Sequence, residues 1–102
     1  MVRVMYRWRV APQDFEEFKK TWRLTTNRIH ESVTGAQGSL MLRSLESESE
    51  VITIAKWDSL ESWKEFWGNE NPKDMQAMRR LGKRISVEAF EEIEDHTRST
   101  YA

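Results

Sequence analysis

Hydrophobic and polar residues alternate strictly over residues 2–10, the segment VRVMYRWRV. A period of two with β-branched and aromatic side chains predicts a strand that has one apolar face. The apolar face carries Val2, Val4, Tyr6, Trp8 and Val10, and the opposite face carries Arg3, Met5, Arg7 and Arg9. We therefore expect the first strand to pack one face against a core.

Apolar residues at helical spacing predict an amphipathic helix from residue 14 to about residue 31. Asp14 and Glu17 have the spacing of a capping box, which predicts that the Asp14 carboxylate caps this helix. The pair Asp58 and Glu61 repeats that spacing at the start of a second helix, and Gly68 is placed to end it. The apolar stripes are Phe15, Phe18, Trp22 and Ile29 in the first helix, and Leu60, Trp63, Phe66 and Trp67 in the second.

Three further strands and a short helix complete the pattern. The strands are predicted at 39–44, 51–57 and 84–93, the last with irregular spacing that allows a bulge. The short helix carries Met75, Met78 and Leu81 and ends at Gly82. The order β-α-β-β-α-(α)-β predicts an α+β, ferredoxin-like fold with a four-stranded antiparallel sheet and its helices on one face. We expect one domain over residues 1–102, with its core in 2–93 and a polar tail at 95–102.

The strand at 51–57, VITIAKW, is apolar on both faces. A strand of this kind is typical of burial on both sides of the sheet. The helix-free face is therefore expected to pack against a second copy of the chain as a homodimer. A charge placed at Ala55 or Met41 is expected to dissociate or unfold that dimer.

Composition narrows the function classes. The chain has 102 residues, of which 38% are hydrophobic and 32% charged, with a formal net charge of −1 and no cysteine. The lack of cysteine excludes disulfides and thiolate chemistry and fits a cytoplasmic protein. A near-neutral balance argues against a nucleic-acid partner, and the apolar runs are too short to span a membrane.

Two segments resemble the antibiotic biosynthesis monooxygenase family of the dimeric α/β-barrel superfamily. They are the run 35–40, GAQGSL, and the run 51–63, VITIAKWDSLESW, in which Trp57 ends a strand just before a helix. The resemblance covers about residues 2–93. It implies a homodimer that forms a dimeric α/β barrel, a pocket between each sheet and its own helices, and cofactor-free oxidation of small aromatic or polyphenolic substrates to quinones. No cofactor is expected.

The haem-degrading branch of this family does not fit the residues. Its members resemble one another in an Asn on the first strand and in a His about ten residues after a Trp on the second helix. The first strand here has no Asn, and counting ten residues from Phe66 or Trp67 gives Gln76 or Ala77. Neither residue is an axial haem ligand.

The candidate site is mainly aromatic. Catalytic candidates are Trp57, Arg7 and His30, and substrate-binding candidates are Trp57, Trp67, Tyr6, Trp8, Trp22 and Trp63. Each has a structural alternative: the tryptophans fill a core poor in Leu and Val, Arg7 forms ion pairs at the interface, and His30 occupies a helix C-terminus. No metal is expected, because adjacent residues such as His30 and Glu31 do not share a helix face.

Two functions remain open from the sequence. A cavity lined by Trp57 and Trp67 and reached by one Arg or His favours a cofactor-independent monooxygenase. A pocket plugged by Trp22, Trp63, Met75 and Met78 favours a non-catalytic ligand-binding or interaction domain of the same fold.

Overall fold

The computed structural model describes residues 1–69 and 71–97, with the backbone alone at residues 69 and 71–74. The strands are β1 (Val2–Val10), β2 (Ala36–Arg43), β3 (Glu50–Trp57) and β4 (Gly82–Glu91). The helices are α1 (Phe15–Ser32), α2 (Leu60–Asn69) and α3 (Asn71–Leu81), and a 3₁₀ turn over Pro12–Asp14 precedes α1. The predicted polar tail lies outside the described residues from position 98 onward.

The four strands form one sheet in the order β2-β3-β1-β4, and every neighbouring pair is antiparallel. This order confirms the ferredoxin-like α+β prediction. The two central strands, β1 and β3, are adjacent in space although α1 and β2 separate them in sequence. Residues far apart in the chain therefore meet at the centre of the sheet.

The core lies between the sheet and the helices. The predicted apolar face of β1 is buried, and Trp8 on it is only 2% exposed. The Trp8 Nε1–H donates to Thr53 Oγ1 on β3 at 3.1 Å, and its ring meets Phe18 of α1 edge-on with centroids 5.2 Å apart. A buried indole N–H that finds an acceptor avoids the cost of an unpaired polar group. Trp8 is therefore a structural residue that joins the sheet to α1.

The predicted capping box at Asp14 is wrong. Its side chain makes no capping hydrogen bond, because the chain enters α1 through the 3₁₀ turn. The backbone N–H groups of Asp14 and Phe15 already donate to the carbonyls of Ala11 and Pro12. Asp14 has helical dihedral angles, φ −100 and ψ −3, rather than the extended backbone from which an N-cap side chain reaches the second and third N–H groups of a helix.

The second predicted capping box is displaced by one residue. The Ser59 Oγ, not the Asp58 carboxylate, accepts the backbone N–H of Ser62 at 3.2 Å. The Asp58 backbone N–H donates instead to the carbonyl of Gly35 at 2.9 Å, which ties the end of β3 to the segment before β2. The helix that follows runs through Gly68 to Asn69, so the predicted stop at Gly68 is also wrong.

Strand ends differ from the prediction by two or three residues. β2 begins at Ala36 rather than residue 39, with an irregular register between Ala36 and Ser39. β4 runs over Gly82–Glu91 rather than 84–93, so it ends before Ile93, and its register against β1 shifts where Arg7 and Trp8 face Ser86 and Arg84. The extra residue in β4 changes the direction in which the side chains after it point.

The helix-free face of the sheet carries an apolar patch among charged side chains such as Arg3, Arg7 and Glu88. Register places Met5, Ile54 and Leu40 side by side across three strands of this face. Its exposed apolar residues include Leu40, Leu42, Ile85 and Phe90. Register also puts Met41 opposite Thr53, and Ser39 opposite Ala55, on the helix-covered side. The charge test is therefore better placed at Ile54 than at Ala55 or Met41.

Among residues 1–69 and 71–97, no helix combines the length and apolarity needed to cross a lipid bilayer.

Candidate functional site

A cavity lies between the helix-covered face of the sheet and α1, α2 and α3. Every helix and the strands β1, β2 and β3 supply parts of its wall. The apolar part of the wall consists of Trp22, Ile29, Ala36, Gly38, Ala55, Trp57, Phe66, Met75 and Met78. The residues with polar groups are Tyr6, Thr25, Thr26, His30, Ser39, Thr53 and Lys56. An apolar wall with a few placed polar groups is typical of a small-molecule site.

The structure brings four of the predicted site residues together in this wall. Tyr6, Trp22, Trp57 and His30 all line it. Trp8 is buried in the core and is not part of the lining. Arg7 lies on the helix-free face, 3.6 Å from Glu88, as the alternation of β1 predicts.

Trp63 and Trp67 occupy a second aromatic cluster beside the cavity. Their rings stack with centroids 5.7 Å apart, and Trp67 lies 5.8 Å from the Tyr6 ring. The cavity lining therefore includes Trp57 but not Trp67, so the arrangement that would favour a monooxygenase is met only in part. One helical turn separates Trp63 from Trp67, whereas Phe66 faces the cavity and lies 5.3 Å from the Trp57 ring.

Trp57 forms the end of the cavity at the last position of β3. Its side chain is 2% exposed, and its backbone is in register with Val2 on one side and Ala36 on the other. Strands on both sides therefore fix the position of the indole. Such a ring forms a rigid wall against which a flat ligand can pack.

Polar groups in the wall are held by hydrogen bonds. The Trp22 Nε1–H donates to Ser39 Oγ at 3.2 Å, which fixes the indole of α1 against β2. Thr25 and Thr53 are buried, and Thr53 is already engaged by Trp8. Neither threonine was singled out from the sequence, although Thr25 lies seven residues after Phe18 on the buried stripe of α1.

Tyr6 contributes a buried phenolic hydroxyl group to the site. It accepts a hydrogen bond from the Trp63 Nε1–H at 3.2 Å and retains its own proton as a donor. Burial raises the pKa of Tyr6 from 10.0 to about 12, with smaller opposing effects of the Trp63 hydrogen bond and the Arg84 charge. Tyr6 is therefore a neutral hydrogen-bond donor at physiological pH and does not act as a phenolate base.

The raised pKa predicts that stability falls between pH 10 and pH 12. In this interval the unfolded chain releases the Tyr6 proton while the folded chain keeps it, so rising pH favours unfolding. We expect the free energy of unfolding to fall by about 2 kcal/mol more in the wild type than in Tyr6→Phe. Urea unfolding of both proteins at pH 9 and pH 11.5 measures this difference.

A direct titration accompanies that measurement. The chain has two tyrosines, so in a Tyr101→Phe background the absorbance at 295 nm reports Tyr6 alone. We expect ionisation near pH 12 in the folded protein and near pH 10 in urea. Ionisation near pH 10 in both states would contradict the burial argument.

The cavity is small. Its volume is about 50 Å³, against the roughly 150 Å³ that accommodates a benzene molecule. A substrate of two or more rings must therefore displace part of the wall. The half-buried Trp22 and Ile29 of α1 are less confined than Trp57, so α1 is the side of the wall that has room to move.

His30 and Lys56 mark the solvent end of the cavity. His30 is exposed in the last turn of α1, and Lys56 is half-buried at the next-to-last position of β3. The Lys56 side chain is in register with Arg3 and its charge acts on Asp95, so its ammonium lies on the helix-free face, and among the described lining residues only His30 offers an ionisable side chain at this end of the cavity. Within the described part of the chain, no three acidic or histidine side chains are grouped as metal ligands.

The sequence profile of the antibiotic biosynthesis monooxygenase family matches residues 1–78, more than half of the chain. No curated protein sequence matches the chain.

Solved structures share the fold at low sequence identity. SnoaB, a cofactor-independent oxygenase from Streptomyces nogalater, is 18% identical over 95% of this chain and 97% of its own, with a TM-score of 0.71. Rv0793 from Mycobacterium tuberculosis is 13% identical over 94% and 98% of the two chains, with a TM-score of 0.70. A conserved protein from Methanosarcina mazei Go1 is 12% identical over 89% and 91%, with a TM-score of 0.72. These likenesses show the fold.

Proposed function

Because the chain belongs to the antibiotic biosynthesis monooxygenase family, we propose that it is a cofactor-independent oxygenase of a small aromatic or polyphenolic substrate. The observation that carries this proposal is the cavity in which Tyr6, Trp22 and Trp57 meet, with His30 at its solvent end. Aromatic walls suit a flat ring, and the nearby imidazole supplies a base for a phenol.

The reaction is a phenol plus dioxygen giving a quinone plus water. His30 takes the phenolic proton, and the electron-rich phenolate then gives one electron to dioxygen. The resulting radical pair combines to form a peroxide at a ring carbon. Loss of water, which carries the ring hydrogen and the returned phenolic proton, leaves the second carbonyl of the quinone.

The wall residues have distinct parts in this scheme. Trp57 and Phe66 hold the ring in place, and the neutral Tyr6 hydroxyl donates a hydrogen bond to an oxygen of the reacting molecule. Lys56 takes no part, because its side chain is in register with Arg3 on the helix-free face. Arg7 takes no part, because it lies on the other face of the sheet.

We expect oxygen consumption by the metal-chelated protein with 1-naphthol or a related polycyclic phenol, above the rate of autoxidation. His30→Asn removes the base and is expected to reduce the rate by about 10²-fold or more. The matched control is His96→Asn, since His96 is exposed near the C-terminus and pairs with Glu94. An oxygen electrode measures the rate of oxygen consumption by all three proteins. Equal rates for the two variants would show that His30 is not the base.

The small cavity volume favours a second candidate, a non-catalytic ligand-binding domain. A cavity of about 50 Å³ holds a compact ligand without rearrangement of α1. Quenching of tryptophan fluorescence by the same phenols with no oxygen consumption would support this alternative. Neither quenching nor consumption would contradict both functions.

The same proposal includes a homodimer formed through the helix-free face and a cytoplasmic location. The apolar residues of that face would remain in water in a monomer, and soluble monomers seldom expose a contiguous patch of this kind. Leu42 and Phe90 on this face are 52% and 47% exposed. Packing two such sheets face to face removes them from water.

A further inference from the structure

An open groove of about 540 Å³ lies where α3 ends and β4 begins. Its polar lining consists of Asp14 and five cationic side chains, which are Arg9, Arg79, Arg80, Lys83 and Arg84. Five cations against one carboxylate give an excess of four positive charges, in a chain whose formal net charge is −1. Positive charge is therefore concentrated at this groove.

The cations of the groove lack carboxylate partners. Among the side chains that the structure describes, none of the five forms an ion pair, although Arg3 and Arg7 on the same sheet do. Asp14, the acidic residue in the lining, is not within ion-pair distance of any of them. Concentrated charge of one sign raises the local concentration of counter-ions.

Arg84 is the most constrained of these residues. Its guanidinium lies over the Trp67 ring, 4.8 Å from the centroid. Its Nη1 is shielded from solvent and has no hydrogen-bond partner among the described residues. A buried charged donor without an acceptor is unfavourable in the free protein.

Arg79 adds to the strain at Arg84. Burial, and after it the positive charge of Arg79, lowers the pKa of Arg84 from its ordinary value, and the Tyr6 side chain opposes this. Two arginines that repel each other across a groove are stabilised when an anion enters between them. The repulsion between these two arginines is unfavourable in the free protein, and a bound anion would reduce it.

We propose that the groove is a second binding site, specific for a small organic polyanion that carries two or more carboxylate or phosphate groups. Arg84 is its central donor. Stacking on Trp67 holds the guanidinium in place at the wall of the groove. Arg79, Arg80, Arg9 and Lys83 neutralise the remaining charge.

The dimensions and charge distribution favour a small molecule over a nucleic acid. A groove of about 540 Å³ falls within the range of roughly 300–1,000 Å³ of small-molecule sites. A nucleic acid needs an extended basic surface, whereas the chain as a whole has more acidic than basic residues, 17 against 16. This site is separate from the aromatic cavity, whose lining does not include Arg84.

The test is calorimetric titration of the full chain with pyrophosphate and with citrate, which separate the phosphate and carboxylate sources. We expect at least one to bind, with affinity that falls as sodium chloride rises. Arg84→Gln should weaken binding by about tenfold or more, because it removes a charge-assisted hydrogen bond. Arg28→Gln is the matched control: it removes the same charge from an exposed position on α1, away from the groove, and should change affinity less than about twofold.

Three outcomes would overturn the proposal. They are binding of neither polyanion, equal affinity of Arg84→Gln and Arg28→Gln, and tighter binding of a short DNA duplex that Arg84→Gln leaves unchanged. Where Arg84→Gln fails to fold, the double variant Arg79→Gln/Arg80→Gln takes its place, since both side chains are exposed. That variant should also lower affinity by about tenfold or more, and unchanged affinity would equally overturn the assignment.

Discussion

Ile54→Glu is expected to convert the proposed homodimer to a monomer. Ile54 lies on an inner strand of the helix-free face, in register with Met5 on one side and Leu40 on the other. In a face-to-face dimer, two-fold symmetry brings two introduced carboxylates into an apolar interface. Burial of an unpaired charge costs several kcal/mol per group. The dissociation constant should therefore rise by about 10³-fold or more.

Sedimentation velocity at micromolar concentration measures this change. The matched control is Leu24→Glu, which adds the same charge on α1 at a side chain that is 58% exposed. That variant should stay dimeric. Far-UV circular dichroism establishes that both variants fold. A wild-type protein that sediments as a compact monomer would contradict the proposed interface, as would a dimeric Ile54→Glu.

Gly35→Ala is expected to destabilise the fold by about 3 kcal/mol or more. Gly35 has φ +90, a conformation that L side chains rarely adopt, and a Cβ there would lie 2.5 Å from Asp58 Oδ1 and 2.7 Å from Ser62 Cβ. Both the backbone conformation and the contact oppose a side chain. The change would push the start of α2 away from the turn before β2, next to Trp57.

Gly38→Ala separates the two effects. Gly38 has φ +98, and a Cβ there would meet nothing within 4 Å. This variant has the backbone strain without the collision, so it should cost only about 1–2 kcal/mol. Urea unfolding of both variants measures the difference. Equal losses would show that the contact with α2 contributes nothing, against the close approach seen here.

The periodicity of the sequence was sufficient for the type and order of the elements. Alternation over β1 and helical spacing over α1 each arise from the geometry of a single element, so a local pattern carries the information. The ends of elements were less predictable. Asp14 and Asp58 both have the spacing of a helix cap, but the helical dihedral angles of Asp14 and the backbone hydrogen bond from Asp58 to Gly35 decide otherwise.

The candidate site was predictable in part. Tyr6, Trp22, Trp57 and His30 were singled out from the sequence, and all four line the cavity. The sequence did not predict that Phe66 would line the cavity while its neighbour Trp67 would not, because this depends on the rotation of α2 about its axis. Arg84 belongs to a basic run that the sequence shows, with Arg79, Arg80 and Lys83, but its position over the Trp67 ring was not predictable.

The sequence by itself determined the ferredoxin-like order of strands and helices, the apolar patch of the helix-free face, and membership of the family. Those features depend on spacing within short segments, which folding does not alter. Only the tertiary structure decided which aromatic rings line the cavity, how small the cavity is, and that Arg79 and Arg84 face one groove. These features depend on contacts between α2, α3 and β4, and such contacts form only when the helices pack against the sheet.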